Sequence, residues 1–434
     1  MSKRLILLAA LAALVLTSCR TARVQPASVI PSGAFVIPSE VEGSARDTVF
    51  NITLIGEECK FADHVDYGVY VPSTADKIRG VMVFQHGCSQ EEFGVSRHCD
   101  VQYQALARKW NLAIIEPAIF GLCDIWAYPS NGSYKALLLA LTKAGVRTGH
   151  PELATAPFLL WGHSGGGFWT LSMLHEHPER IITAICYSAA WDPDWDYAPE
   201  GYEVPILFRH AGPGEGAEGI PATARHSFAH LRSHGAPASI AFTRGQGHNH
   251  SYMRTMTVPF WEAALKQRLT EGGRLQPLDP ARTWLGDTTT FEIFPEAGYT
   301  GDKSALCRLP DETSAKAWSE YASSGIVKDS TPPQKPWGLK IVTDGDSALL
   351  TWRAEADLES GIGCFNIYKD GELIGRVPDS GNYQDYDRNG DQARPVNPPA
   401  MEFRLTQPAS GSYSVETVNR DGLESGQTTT EYKR

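Results

Sequence analysis

At 434 residues the chain is roughly two to three times the length of a common domain, so at least two folded units with a sizeable core are expected. A hydrophobic fraction of 42% beside 21% charged residues excludes a disordered, collagen-like or coiled-coil chain. With 39 Lys and Arg against 50 Asp and Glu, the net charge of −11 offers no basic field for a polyphosphate, and no nucleic acid partner is expected.

Lys3 and Arg4 precede an apolar run at 5–16, followed by Thr17, Ser18 and Cys19, the order of an export signal. The run falls short of the roughly 18 residues that crossing a bilayer requires. Leu16-Thr17-Ser18-Cys19 resembles the lipobox of bacterial lipoproteins. That resemblance implies removal of residues 1–18, a lipid on Cys19 as the membrane anchor, and a place in the cell envelope, at the outer membrane or cell surface. Residues 19–49, rich in Ser, Pro, Ala and Val without helical period, read as a tether. Seven further cysteines, at 59, 88, 99, 123, 186, 307 and 364, can oxidise in an exported protein, and an odd number leaves at least one free. No C-x-x-C spacing occurs, so neither metal nor cofactor is expected.

From 50 to 270, short apolar runs alternate with helix-like segments, the signature of an α/β domain with a largely parallel sheet. Strands are expected at 80–85, 112–116, 158–162, 182–187, 204–210 and 238–243. Helices are expected at 101–109, 134–144, 166–175, 223–234 and 258–269, with Pro259 near the start of the last. Residues 271–334 read as a connecting segment ending in a Pro-rich linker, Asp329-Ser-Thr-Pro-Pro-Gln-Lys-Pro336. Beyond it, 335–434 shows only short alternating strands, with turn signals at Asp370-Gly371 and Asp421-Gly422, and reads as an all-β sandwich. This region resembles a fibronectin type III domain, with Trp352 as the core tryptophan and Tyr413-Ser-Val-Glu-Thr-Val-Asn419 as the tyrosine-corner strand. The resemblance implies a spacer or binding module, so deleting it should leave small-substrate chemistry unchanged.

Gly162-His163-Ser164-Gly165-Gly166 fits G-x-S-x-G, and its context decides its meaning. A strand ends just before it and a helix opens just after, which is the strand-to-helix turn of a nucleophile elbow. The pattern resembles the α/β-hydrolase superfamily over 50–270, so the expected fold class is an α/β-hydrolase domain with a mostly parallel sheet, followed by the all-β sandwich. The resemblance implies Ser164 as nucleophile, with the base on the loop after the last strand. That loop holds His248, preferred because it follows Gly247, and His250 as the alternative. The acid is expected between them in sequence: Glu215 in the loop after 204–210, with Glu218 or Asp192 as alternatives. His86-Gly-Cys-Ser-Gln90 and Cys123-Asp-Ile-Trp126 are similar to segments of polyhydroxybutyrate depolymerases and feruloyl esterases. By that likeness the N–H groups of Cys88 and Gly165 form the oxyanion hole, and Cys88 pairs with Cys123.

The connection before 204 is too short for a helical cap, so an open cleft is expected, rimmed by Trp126, Trp191 and Trp195, with Tyr128 beside Trp126. The expected activity is carboxylic ester hydrolysis through an acyl-enzyme, on a substrate that is polymeric or polysaccharide-linked. The alternatives are a serine peptidase of the same fold and a noncatalytic surface-binding lipoprotein.

Overall fold

The computed structural model describes residues 47–88, 97–189, 195–216, 219–248, 253–383 and 399–433. Eight strands build the main sheet: β1 (Thr48–Ile55), β2 (His64–Val71), β3 (Gly80–Gln85), β4 (Leu112–Phe120), β5 (Phe158–His163), β6 (Ile181–Tyr187), β7 (Ile206–His210) and β8 (Ala238–Phe242). Their order is β1-β2-β4-β3-β5-β6-β7-β8. β2 runs against both β1 and β4, whereas every pairing from β4 to β8 is parallel. This large mixed sheet with mostly parallel strands fits the α/β-hydrolase arrangement. The central strands are buried on both faces, which explains why β5 and β6 are continuous apolar runs rather than alternating ones.

The helices that pack on the sheet are α1 (Val101–Trp110), α2 (Cys123–Trp126), α3 (Ser133–Thr148), α4 (Gly165–Glu176), α5 (Gly219–Ser233) and α6 (Arg254–Arg268). α1 starts at Asp100, whose carboxylate accepts from the N–H groups of Gln102 and Tyr103, and stops at Asn111 in the left-handed conformation. The expectation for α6 needs correcting: it begins before 258, and Pro259 lies inside it. Its first residue, Arg254, is held in an ion pair with Asp100 at 2.8 Å, which fixes the opening turn. Among the described residues no helix is long and apolar enough to cross a membrane.

The segment after 270 is more than a connection. β9 (Trp284–Gly286), β10 (Ile293–Pro295) and β11 (Cys307–Leu309) form a small antiparallel sheet. α7 (Glu312–Ser324) follows, opened by a reciprocal capping box between Asp311 and Ser314 and ended by Gly325 in the left-handed conformation. Trp318 and Tyr321 of α7 are wholly buried in the same core as β8, and Trp318 Nε1 donates to the Ile240 carbonyl at 2.8 Å.

The C-terminal region holds two antiparallel sheets. β12 (Trp337–Asp344), β13 (Ser347–Arg353) and β16 (Glu402–Thr406) form one, in the order β12-β13-β16. β14 (Ile362–Lys369), β15 (Glu372–Val377), β17 (Gly411–Asn419) and β18 (Thr428–Tyr432) form the other, in the order β15-β14-β17-β18. Trp352 meets Phe365 edge-on at 5.3 Å in their shared core, and the Tyr413 hydroxyl donates to the Ala409 carbonyl at 2.9 Å. Asp370 and Gly371, both at positive φ, make the β14–β15 turn.

This β region is seated on α1. Ala105 belongs to its apolar core and Val101 packs against it, Arg108 makes a two-pronged bond to Glu355, and Gln102 Nε2 donates to the Leu358 carbonyl at 3.1 Å.

Candidate active site

β5 ends at His163 and α4 begins at Gly165, so Ser164 alone turns the chain, at φ 56 and ψ −116. A non-glycine residue in that region is strained, and the surroundings hold it there. The flanking glycines are sterically required. A Cβ on Gly162 would lie 2.0 Å from the Gly166 carbonyl oxygen, and one on Gly166 would lie 2.2 Å from the Gln85 oxygen. A Cβ on Gly165 would fall 2.3 Å from Cys123 Sγ and 2.5 Å from Cys88 Sγ. The pairing of Cys88 with Cys123 is formed, and the disulfide lies directly against Gly165.

Backbone from two segments lies close to this elbow. The N–H of Gly165 is at the start of α4, where the helix supplies no partner for it. The turn after β3 passes so close that a Cβ on Gly87 would lie 3.1 Å from the Ser164 Cβ, which brings the backbone leading to Cys88 beside the hydroxyl. His86 braces that turn: its Nε2 accepts from the Ile119 N–H at 3.1 Å, and its other ring nitrogen bonds the Gly87 carbonyl. Burial pushes His86 down to about 4, so it is neutral and structural.

Across the sheet edge, Glu215 is wholly buried and its Oε2 stands 2.7 Å from His248 Nδ1. Burial works to raise the Glu215 pKa. The hydrogen bond and charge of His248, the Ala211 N–H and the Arg209 charge outweigh it and hold the carboxyl below its ordinary value. An ionised carboxylate only accepts, so Nδ1 carries the proton and Nε2 of His248 is left as an acceptor. The His248 ring is 4.6 Å from that of His163, the residue before Ser164, and its side chain is 30% exposed. A serine on a strained turn and an imidazole whose Nδ1 is held by a buried carboxylate are parts that acyl transfer uses.

Other expected site residues lie elsewhere. Trp126 is corrected from rim to core: it is fully buried and edge-on to His86 at 5.3 Å, because α2 folds under the disulfide. Trp195 is half-buried, stacked on His175 at 4.5 Å and tilted against Phe168. The exposed apolar side chains beside the disulfide are instead Leu122, Ile125 and Tyr128, at 66%, 37% and 39% exposure. Tyr128 was among the aromatics expected at the rim, whereas Leu122 and Ile125 carry no signal in the sequence that tells the outward from the inward face of this short helix. Cys19, Trp191, Asp192, Glu218 and His250 fall outside the described residues.

No protein-family model matches the chain, and no curated protein matches it. Among solved structures it is similar to poly(aspartic acid) hydrolase-1 from Sphingomonas sp. KT-1, at 15% identity over 47% of this chain and 94% of that one, with a TM-score of 0.36. It is also similar to an S-formylglutathione hydrolase from Agrobacterium tumefaciens, at 16% identity over 51% and 94%, with a TM-score of 0.35. A ferulic acid esterase matches at 13% identity over 47% and 92%, with a TM-score of 0.35.

Proposed function

We propose that this chain is a serine carboxylic ester hydrolase, exported as a lipoprotein anchored through Cys19 and carrying a C-terminal fibronectin type III-like sandwich. The observation that carries the reading is the 2.7 Å contact between His248 Nδ1 and buried Glu215, set beside a serine held at φ 56. In the mechanism, Ser164 Oγ attacks the ester carbonyl while its proton passes to His248 Nε2. The Cys88 and Gly165 N–H groups take the oxyanion. Collapse expels the alcohol, which leaves with the proton from His248, and a water deprotonated by the same imidazole releases the acid.

Leu122, Ile125 and Tyr128 supply an apolar lip for the acyl or aromatic part of the ester. Among the described residues no α-helix lies between β6 and β7, which favours an open cleft and a bulky or polymeric substrate. The test is labelling with a fluorophosphonate, followed by turnover of p-nitrophenyl esters against a peptide anilide. Labelling at Ser164 with ester turnover supports the proposal. Absence of labelling on folded protein would remove it, and anilide turnover alone would make the protein a peptidase.

Two further outcomes follow from this reading. Because both sulfurs pack against Gly165, Cys88→Ala/Cys123→Ala is expected to cost roughly 10- to 100-fold in kcat by loosening one side of the oxyanion site. An unchanged kcat would show that the donors are held without the disulfide. Cys19→Ser is expected to move the protein from the membrane to the soluble fraction, because the lipid is the anchor proposed. Cell fractionation measures this, and retention at the membrane would require another anchor.

A further inference from the structure

Arg209, on β7, is an arginine with no exposed surface, and the ester-hydrolase chemistry above gives it no step. All three of its guanidinium nitrogens donate. Nη1 donates to Glu215 Oε1 at 3.4 Å, to Ser188 Oγ at 3.3 Å and to the Gly247 carbonyl at 3.3 Å. Nη2 donates to Gln246 Oε1 at 2.8 Å, and Nε donates to Thr243 Oγ1 at 2.9 Å. The plane sits 4.7 Å above the Tyr187 ring. Ser188 is itself at positive φ and donates to Glu215 Oε1 at 2.8 Å. Thr243 donates onward to the Tyr321 hydroxyl of α7 at 3.1 Å.

One cation thus grips three loops: the one after β6, the acid-bearing loop after β7, and the loop after β8 that carries His248. The acid and base loops also touch directly, since a Cβ on Gly214 would fall 1.9 Å from the Gln246 oxygen. Resting on the triad reading, we propose that Arg209 is a positioning residue that holds the acid and base loops in register and partly neutralises Glu215. Glu215 must stay ionised to accept from His248 Nδ1, and burial works against that charge. The guanidinium on its far side helps hold the carboxylate ionised, so without it the acid would protonate at a higher pH. Lysine could keep the charge but not the fork.

Among the described residues, the other titratable or charged groups around the pair are His163 against the His248 ring, Tyr187 under the guanidinium, Tyr321 behind Thr243, His210, and Arg225 acting on His210. Burial drives His210 down to about 4, so it stays neutral, and all five are unchanged in the variants below.

The experiment measures kcat/KM on p-nitrophenyl acetate from pH 5 to 9 for the full chain, Arg209→Met and Arg209→Lys, with a thermal melt of each. Arg209→Met is expected to lose roughly 10- to 100-fold and to move the acid limb upward by about one pH unit. Arg209→Lys is expected to keep the limb where it is and lose about 10-fold in kcat. A purely structural arginine would lower the melt without moving the limb, and that result overturns the proposal. So does a limb shift of equal size in both variants. If Arg209→Met does not fold, Arg209→Gln decides: an acid limb moved upward supports the role, and an unmoved limb overturns it. If the wild-type chain neither turns over ester nor takes fluorophosphonate, the triad reading itself fails, an outcome distinct from any difference between variants.

Discussion

Ser164→Ala is expected to remove ester hydrolysis by a factor on the order of 10⁴ or more while leaving the fold intact. The hydroxyl is the only atom lost, and Ser164 contributes to the elbow through its backbone rather than through packing. The same factor is expected for His248→Ala, because Nε2 is the atom that receives the proton, and Glu215→Gln is expected to approach it. A glutamine matches the shape, yet its amide can turn a donor toward Nδ1 and favour the wrong imidazole tautomer, at a cost of roughly 10⁴. Single-turnover kinetics on p-nitrophenyl acetate, with circular dichroism on each variant, measures all three. The losses should not add, since the three groups act on one proton transfer. If His250→Ala lost more than His248→Ala, the base would move two residues on. If Ser164→Ala retained more than a few per cent of activity, the nucleophile would lie elsewhere.

Much of the site was legible because its chemistry imposes local pattern. Glycines at 162, 165 and 166 are dictated by contacts of about 2 Å, so the pentapeptide and its strand-to-helix setting carried the elbow without any structure. The central strands were equally open to reading, since parallel strands covered on both faces leave unbroken apolar runs. β1 was missed although Phe50, Ile52 and Leu54 alternate with outward residues, a period that a search for continuous runs passes over. α7 was missed because 271–334 lacks a repeat, although Asp311 and Ser314 form a cap signal three residues apart. Arg209 and Ser188 were invisible for a different reason. Nothing in Phe208-Arg209-His210 marks a charge in a buried strand, and only the meeting of three loops reveals what it serves. Trp126 was misplaced because composition identifies an aromatic but not the face of a four-residue helix on which it falls.

Removing residues 335–434 is expected to lower the melting temperature and reduce kcat on a small ester, contrary to what a Pro-rich linker suggests on its own. The linker does not hold the β region at a distance. Ala105 of α1 lies in the core of the β region and Val101 packs against it, so truncation returns their apolar faces to water at about 1 kcal/mol each. Arg108 would lose Glu355 while keeping Asp47 at 2.8 Å, and Gln102 would lose the Leu358 carbonyl, at about 1 kcal/mol for each hydrogen-bonded contact. Asp329, buried before the boundary, would lose the Ser360 hydroxyl and the Asn419 amide, each at 2.8 Å. A loss of about 3 kcal/mol or more corresponds to a fall of roughly 6 to 12 °C for a domain of this size. The effect should reach catalysis through α1. Asp100 caps that helix and also holds Arg254, the first residue of α6 after the His248 loop, while Gln102 Oε1 accepts from the same Arg254 at 2.8 Å. Loosening α1 therefore loosens the anchor of the base loop. Thermal melts and p-nitrophenyl acetate kinetics on the full and truncated chains measure this, with Arg108→Ala/Gln102→Ala in the full chain expected to reproduce part of both losses. A truncated protein with full-length stability and kcat would show that the contacts on α1 contribute nothing net, and the sandwich would then act only as a spacer or a surface-binding module.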